Sequence, residues 1–454
     1  MQSIVDPKAQ IWNLWSRLDD KKNKSYRLMN YVLCVNYKGT VLLHNVVTGQ
    51  LVVLDQSEAD LVKALPVKYD RSIEQLIDSH YLVPVDFDEH ILVKNIRRVF
   101  RLLDSSQNRP VISYTIYPTT GCNARCYYCF EQGTKHITMS SQTAEDAVAY
   151  IVSHCGEDKR VHITWFGGEP TLATNRIDQI CNGLRKNGIE YHSDMVTNGY
   201  LLDSGIVQRA SELWNLYHVQ ISVDGTEVNN NYIKNFINPS NNPYRRVLDN
   251  IELLIEKKIH VSIRMNFDIG NYTDFADLVK EVSEKYNKSR FVDIYATPVL
   301  GEHMNREGKV IHGNDEWLIQ KNVELNDIAR KAGISKPIHG LPSLAFCGCS
   351  AEDDSYTVIG ADGSLARCLE LFDGENAVGT ITEGVKNKQL LQSWKQIADF
   401  EKCVKCTYFP MCIKMQNCPA GERCYHLDRN KQIIQSVCNK YDEYCVKEGV
   451  NHEV

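Results

Sequence analysis

The stretch "TIYPTTGCNARCYYCFEQG", residues 115–133, places Cys122, Cys126 and Cys129 within eight residues, directly after an apolar run with the texture of a strand. Gly121 opens the loop and, having no Cβ, permits the tight curl that aims three side chains inward. Three thiols are one short of the four ligands of a structural zinc site and one more than a redox pair needs. The rest of the chain decides what an odd number serves.

With 454 residues the length implies about three domains. A hydrophobic share of 43% and a charged share of 24% are those of a soluble globular protein. The net charge of −6 argues against a nucleic-acid or anionic-membrane surface, so neither is expected as a partner. No run approaches the ~18 apolar residues of a membrane span. The opening "MQSIVDPKAQIWNLWSRLDDKKNK" has no apolar signal core, and the expectation is a cytoplasmic chain. In a reducing compartment sixteen cysteines read as metal ligands rather than as a disulfide framework, the more so because nine lie between Cys347 and Cys438.

Three textures succeed one another along the chain. Residues 26–90 read strand, strand, strand, helix, helix, strand, the element order of a winged helix-turn-helix. That segment holds five Lys/Arg against nine Asp/Glu, a poor balance for phosphate contact. A small sheet with an open edge instead suits capture of an extended peptide by strand addition, with passive packing as the alternative. Residues 110–310 alternate strand and helix: "VISYTIYP", "VHITWFGG", "YHSDMVTN", "HVQISVDG", "HVSIRMNF" and "FVDIYATPV" are the strand candidates, with amphipathic stretches between them. Six βα units predict an α/β fold with a parallel sheet, closed or partly closed as a TIM-like (β/α)6 barrel. In such folds chemistry gathers at the C-terminal strand ends. Residues 311–345 read as a helical bridge. From Phe346 onward cysteines and hairpins replace periodicity, as in "YTVIGADGSLARC", and the end of the chain is expected to need metal for its fold.

Three thiolates hold three irons of a cuboidal [4Fe–4S] cluster and leave the fourth open to a cofactor or substrate. A zinc site completed by a distant residue and simple buried thiols fit the same spacing. The order of the other strand-end residues separates these readings. Cys-x3-Cys-x-aromatic-Cys, with Tyr128 as the aromatic, resembles the signature of radical S-adenosylmethionine (SAM) enzymes. Gly167-Gly168-Glu169-Pro170 resembles that family's second-strand motif, which contacts the methionyl amino group. "TNGYLL", with Asn198, and "SVDG", from Ser222 through Asp224 to Gly225, resemble its third- and fourth-strand elements. Where the family often has Arg after the fourth motif, the nearest basic residue here is Lys234. Arg264 and Asn266 on the fifth strand are candidate cofactor-side groups. The resemblance implies that SAM chelates the open iron, and that an electron from a flavodoxin- or ferredoxin-type donor cleaves it to a 5′-deoxyadenosyl radical. That radical takes a hydrogen atom from the substrate.

Cys349, Gly363 and Cys368, then Cys403, Cys406, Cys412, Cys418 and Cys438, resemble the SPASM extension of that family, although the gaps of five and nineteen residues around Cys412 and before Cys438 depart from its pattern. The resemblance implies two auxiliary [4Fe–4S] clusters, three clusters in all. Cys349, Cys368 and Cys418 fall to the first, with Cys347 or Cys424 as a fourth ligand or an open iron. Cys403, Cys406, Cys412 and Cys438 fall to the second. A pair of zinc sites is the alternative. The expected organisation is thus a leader-peptide recognition domain at 1–105, a radical SAM barrel at 106–310, a bridge at 311–345 and a SPASM domain at 346–454. Together these imply a maturase of a ribosomally made precursor peptide, with thioether formation favoured over carbon–carbon crosslinking or epimerisation. A formylglycine-generating sulfatase maturase is a sister reading, set back by Leu369 where that family has Asp. A non-enzymatic metal-binding redox regulator is the distant one.

Overall fold

The computed structural model describes residues 1–6, 21–105, 110–239, 241–286, 289–311, 315–335, 340–345, 349–372, 374–398, 400–412, 415–419, 421 and 429–449. The chain divides into two compact units: 1–108 with 338–349 and 396–454, and 109–337 with 350–395.

The first unit begins with β1 (Gln2–Val5), β2 (Ser25–Leu28), β3 (Val32–Tyr37), β4 (Thr40–Asn45) and β5 (Leu51–Leu54). It continues through α1 (Gln56–Lys63), β6 (Val67–Lys68), α2 (Glu74–Asp78), β7 (Leu82–Pro84) and α3 (Glu89–Ser105). The expected order of strands and helices is present with β2 and β6 added, and these two pair with β7 in a separate sheet, β6-β2-β7. The other sheet runs β1-β5-β4-β3, with β3 at an edge. Asp55 and Glu58 form a reciprocal capping box that starts α1 straight after β5. Cys34 on β3 is exposed.

The second unit opens with β8 (Ser113–Thr119), α4 (Ser141–His154), β9 (Arg160–Gly167), α5 (Thr174–Lys186), β10 (Glu190–Thr197) and α6 (Ser204–Glu212). Then come β11 (Leu216–Ser222), α7 (Glu227–Lys234), α8 (Pro243–Glu256), β12 (His260–Phe267), α9 (Phe275–Lys285) and β13 (Val292–Pro298). All six strands lie within three residues of the sequence expectation, and β8 to β13 pair in parallel in chain order. Along β9, Val161, Ile163 and Trp165 are buried in the main core while His162, Thr164 and Phe166 alternate to the other face. The apolar set packs against the helices, three of which start with a side-chain cap: Ser140 on α4, Asp203 on α6 and Asn242 before Pro243 on α8.

Beyond β13 lie β14 (His303–Met304), β15 (Val310–Ile311), α10 (Asp315–Lys331), β16 (Tyr356–Ile359), β17 (Ser364–Ala366), β18 (Gly379–Thr380), β19 (Gly384–Val385) and α11 (Lys388–Ser393). The helical bridge is α10, which covers β13 and fixes it through Asn326 to both backbone groups of Ala296. The expected hairpin is β16–β17, turning through Gly363 at φ +84°. Sequence reading left unseen that β16 pairs in parallel with β8, so the sheet grows to ten strands, β13-β12-β11-β10-β9-β8-β16-β17-β18-β19.

The chain re-enters the first unit with α12 (Glu401–Val404) and α13 (Arg429–Glu448). Val437, Cys438, Tyr441 and Cys445 of α13 share a core with Val35, Leu42 and Leu51. The 403–412 loop is held by Arg97, a fully buried guanidinium that donates to the carbonyls of Ala345, Phe409, Pro410 and Cys412 at 2.7–3.3 Å and lies over the Phe409 ring. No helix among the described residues is long and apolar enough to cross a membrane. Arg97→Met leaves those carbonyls buried and unpaired, so it is expected to lower unfolding stability by about 2–4 kcal/mol in urea titrations and to open the 403–412 loop to protease.

Candidate functional site

The C-terminal ends of β8 to β12 carry the chemistry, and their loops approach one another backbone to backbone. Gly167 has φ +124°, and a Cβ there would lie 2.3 Å from the Thr119 carbonyl oxygen. A Cβ on Gly168 would lie 2.5 Å from the Gly121 oxygen, so only glycines admit the cysteine loop. The same contact makes hydrogen bonds, from Gly168 N to Thr119 O and from Glu169 N to Gly121 O. From the other side the end of α7 grips the loop: Arg125 N donates to Lys234 O and Ile237 N to Asn123 O.

Within this frame Cys122, Cys126 and Cys129 are half-buried and feel one another's charge. Burial pushes Cys122 up to about 12 and Cys126 up to about 11, the latter against the pull of Lys234. Loading a metal centre must therefore displace protons. Cys122 Sγ accepts from Ala124 N and lies 3.9 Å from the Asn198 amide, and the Glu131 N–H donates to Cys129. Among the described residues no three His, Cys, Asp or Glu side chains form a single-ion site. Three thiols on one glycine-opened loop, with backbone and amide donors aimed at their sulfurs, suit a cluster whose ligands stand at separate corners.

Glu169 is fully buried. Burial raises it, while donors from Thr171, Asn198 N and Thr197 at 2.5–3.1 Å oppose that rise and fix its orientation. Asn198 donates to Asn123, tying the third strand end to the cysteine loop. Tyr128 bonds Asp224, Asn266 donates to both, and Lys234 sits 2.7 Å from Asp224 and 2.7 Å from Ser222 Oγ. Lys234 and Asp224 are 2% and 0% exposed, so the ion pair is sealed from water. Arg264 lies across from Ser222 in the sheet, and its Nε has no partner among the described residues.

A second network was missed from the sequence. Tyr127 OH donates to Asp268 at 2.8 Å, His303 Nε2 bonds the same oxygen at 3.0 Å, and the Tyr127 and His303 rings stack 5.7 Å apart. It anchors the loop to β14. The residues are 35 to 176 positions apart, so no local signal could reveal it.

The outlying cysteines divide. Cys349, Cys403, Cys406, Cys412, Cys418 and Cys438 belong to the first unit and Cys368 to the second, where its charge is felt by Tyr117 and Tyr356. Cys403 and Cys406 pack against the core holding Phe409, whereas Cys438 is 5% exposed among the apolar residues of α13. Cys347 and Cys424 lie outside the described residues.

Residues 116–282 match the family model described as the Radical SAM superfamily. This segment is a radical SAM domain. The family implies SAM and a [4Fe–4S] cluster as its cofactors. A curated relative, described as a probable GTP 3′,8-cyclase of Thermoplasma volcanium, is 33% identical over 101 residues, 22% of this chain and 30% of that protein. The chain thus matches less than a third of that relative's length. Among solved structures, anSMEcpe with bound AdoMet and a Cp18Cys peptide is 20% identical, with a TM-score of 0.53, covering 75% of this chain and 98% of that one. Streptococcus suis SuiB bound to its precursor peptide SuiA is 15% identical, with a TM-score of 0.51, over 85% and 94% of the two chains. These likenesses establish the fold around the radical SAM domain.

The pair beneath the loop titrates in a definite sense. The hydrogen bond that His303 donates to Asp268 raises His303; burial alone would raise Asp268, but the bonds from His303, Tyr127 and Gly270 N bring it below its ordinary value. The His303 contribution is complete below about pH 6.5 and is lost as pH rises through its folded value, whereas the Asp268 contribution is complete above about pH 4 and lost on acidification. The Tm deficit of His303→Gln is expected to be larger near about pH 6 than near about pH 8.5, and a deficit independent of pH contradicts the pairing.

Proposed function

We propose that this chain is a radical SAM maturase of a ribosomally made precursor peptide and that it forms thioether links from a Cys sulfur to a carbon. The observation that carries the radical chemistry is Asn198, whose backbone orients Glu169 while its side chain reaches both Asn123 and the Cys122 sulfur. Glu169, the group that would take the SAM amino group, is thereby tied to the thiol loop. When bound there, a [4Fe–4S] cluster supplies the electron that releases the 5′-deoxyadenosyl radical from SAM. Cys122, Cys126 and Cys129 hold that cluster. Glu169 accepts the amino group, and Lys234, neutralised by Asp224 and donating to Ser222 Oγ, faces the carboxylate and ribose together with Ser222. Tyr128, locked by Asp224 and Asn266, fixes the loop on the adenosine side. The sealed Asp224–Lys234 pair keeps water from the radical.

The peptide assignment is supported by the fold shared with anSMEcpe and SuiB, each solved with a peptide. It is supported also by β3 at the sheet edge, beside a cleft of about 330 Å³ lined by Tyr37, Lys38, Thr40, Asp55, Gln56 and Lys63. An extended leader adds to such an edge. A thioether replaces C–H and S–H by C–S. One hydrogen atom goes to the 5′-deoxyadenosyl radical, and the other leaves as a proton and an electron. The cysteines from Cys347 to Cys438 would hold auxiliary clusters able to take up that electron, and a flavodoxin- or ferredoxin-type donor in the cytoplasm would supply the first.

Anaerobic purification is expected to give about twelve irons per chain. Cys126→Ala should abolish 5′-deoxyadenosine formation, and retained SAM cleavage refutes the loop assignment. Cys368→Ala should lose crosslinked product while uncoupled SAM cleavage survives; full product formation removes the auxiliary role.

A further inference from the structure

Three carboxylates at the strand ends are saturated. Glu169 accepts from Thr171, Thr197 and Asn198, Asp224 from Tyr128, Lys234 and Asn266, and Asp268 from Tyr127, His303 and Gly270 N. Glu131, two residues beyond Cys129, has both carboxylate oxygens sealed from solvent with no hydrogen-bond partner among the described residues. Among the described residues no cationic side chain compensates it. A carboxylate removed from water without a partner is destabilising by several kcal/mol, roughly, so a protein holds one where a partner arrives later.

Its surroundings indicate that partner. The buried Tyr117 hydroxyl feels the charges of Glu131, Cys368 and Glu370, so Glu131 stands on the side of the β8 end where the Cys368 hairpin is. Tyr117 stacks on Phe372 at 4.4 Å and meets Phe166 edge-on at 5.4 Å, and Phe130 stacks on Phe166 at 6.4 Å. Phe130 is 53% exposed, so its displacement gives up little packing. An unpaired carboxylate beside aromatic faces is a receptor for an ammonium or guanidinium group, which gains an ion pair and a cation–π contact together.

We propose that Glu131 is a specificity residue that receives a Lys or Arg side chain of the peptide, close in sequence to the residue that loses hydrogen. The assignment rests on the peptide reading above. The charged group enters next to the thiol loop and the Cys368 hairpin, which sets the register of the peptide against both.

The test uses the full-length reconstituted holoenzyme with SAM and four acetylated pentapeptides, Gly-X-Cys-Gly-Gly, with X as arginine, lysine, citrulline or glutamate, titrated calorimetrically. Citrulline keeps the shape of arginine without its charge. The arginine and lysine peptides are expected to bind about tenfold or more tightly than the citrulline peptide, as loss of a buried charge partner implies. Glu131→Gln should erase that ratio, and Glu131→Lys should invert it in favour of glutamate. The Tm of ligand-free Glu131→Gln should not fall, because no bond is lost; a fall marks a structural carboxylate and overturns the assignment. Equal binding of arginine and citrulline peptides, or a preference that survives Glu131→Gln, also overturns it while leaving the peptide reading in place. If SAM binds and no peptide does, the peptide reading fails and the assignment with it.

Discussion

The buried ion pair between Asp224 and Lys234, 2.7 Å apart and sealed from water, joins three separate pieces of chain. Asp224 lies just after β11, Lys234 ends α7, and Tyr128, bonded to Asp224, belongs to the cysteine loop. Asn266 on β12 and Asn271 after it close the ring through Asp224. Removing either charge leaves the other uncompensated in a dry interior, a loss of roughly 3–5 kcal/mol. The pair therefore constrains more than local stability. It sets the end of α7, and the end of α7 grips the thiol loop through Lys234 O and Asn123 O.

A second constraint is steric. Thr119 to Gly121 run so close to Gly167 and Gly168 that no side chain fits between the first two strand ends. Together the two constraints hold the cysteine loop between β9 and α7, where its half-buried thiols are not free to spread. Polar saturation follows the same logic: Glu169, Asp224 and Asp268 are hydrogen-bonded into rigidity, as preorganised electrostatics requires.

Much of the fold was legible because the strands alternate and the intervening helices carry caps and apolar stripes. The cysteine, glycine and Asp-Gly motifs were legible because each sits at a strand end, where backbone geometry demands particular residues. Other features left no trace. That β16 joins β8 depends on a pairing across more than 240 residues, and parallel pairing has no turn to announce it. Lys234 was visible only as the nearest base after a motif, and its burial comes from α7 folding back over Asp224. The Tyr127–Asp268–His303 network and the orphan Glu131 are defined by what surrounds them, which spacing does not encode. The late cysteines looked like one domain in the sequence; in the fold 350–395 cluster with the barrel unit and 396–449 with the N-terminal unit.

By itself the sequence determined the six-stranded parallel α/β core, the triple-thiol loop at its first strand end and the motif order that resembles radical SAM enzymes, because local periodicity and short-range sterics act within a few residues. Only the tertiary structure decided which carboxylates are satisfied, that Lys234 is a sealed counter-ion, that Arg97 holds the 403–412 loop, and that Glu131 lacks a partner. Hydrogen-bond satisfaction and desolvation are properties of neighbours brought together from distant positions. They exist only once the chain has folded.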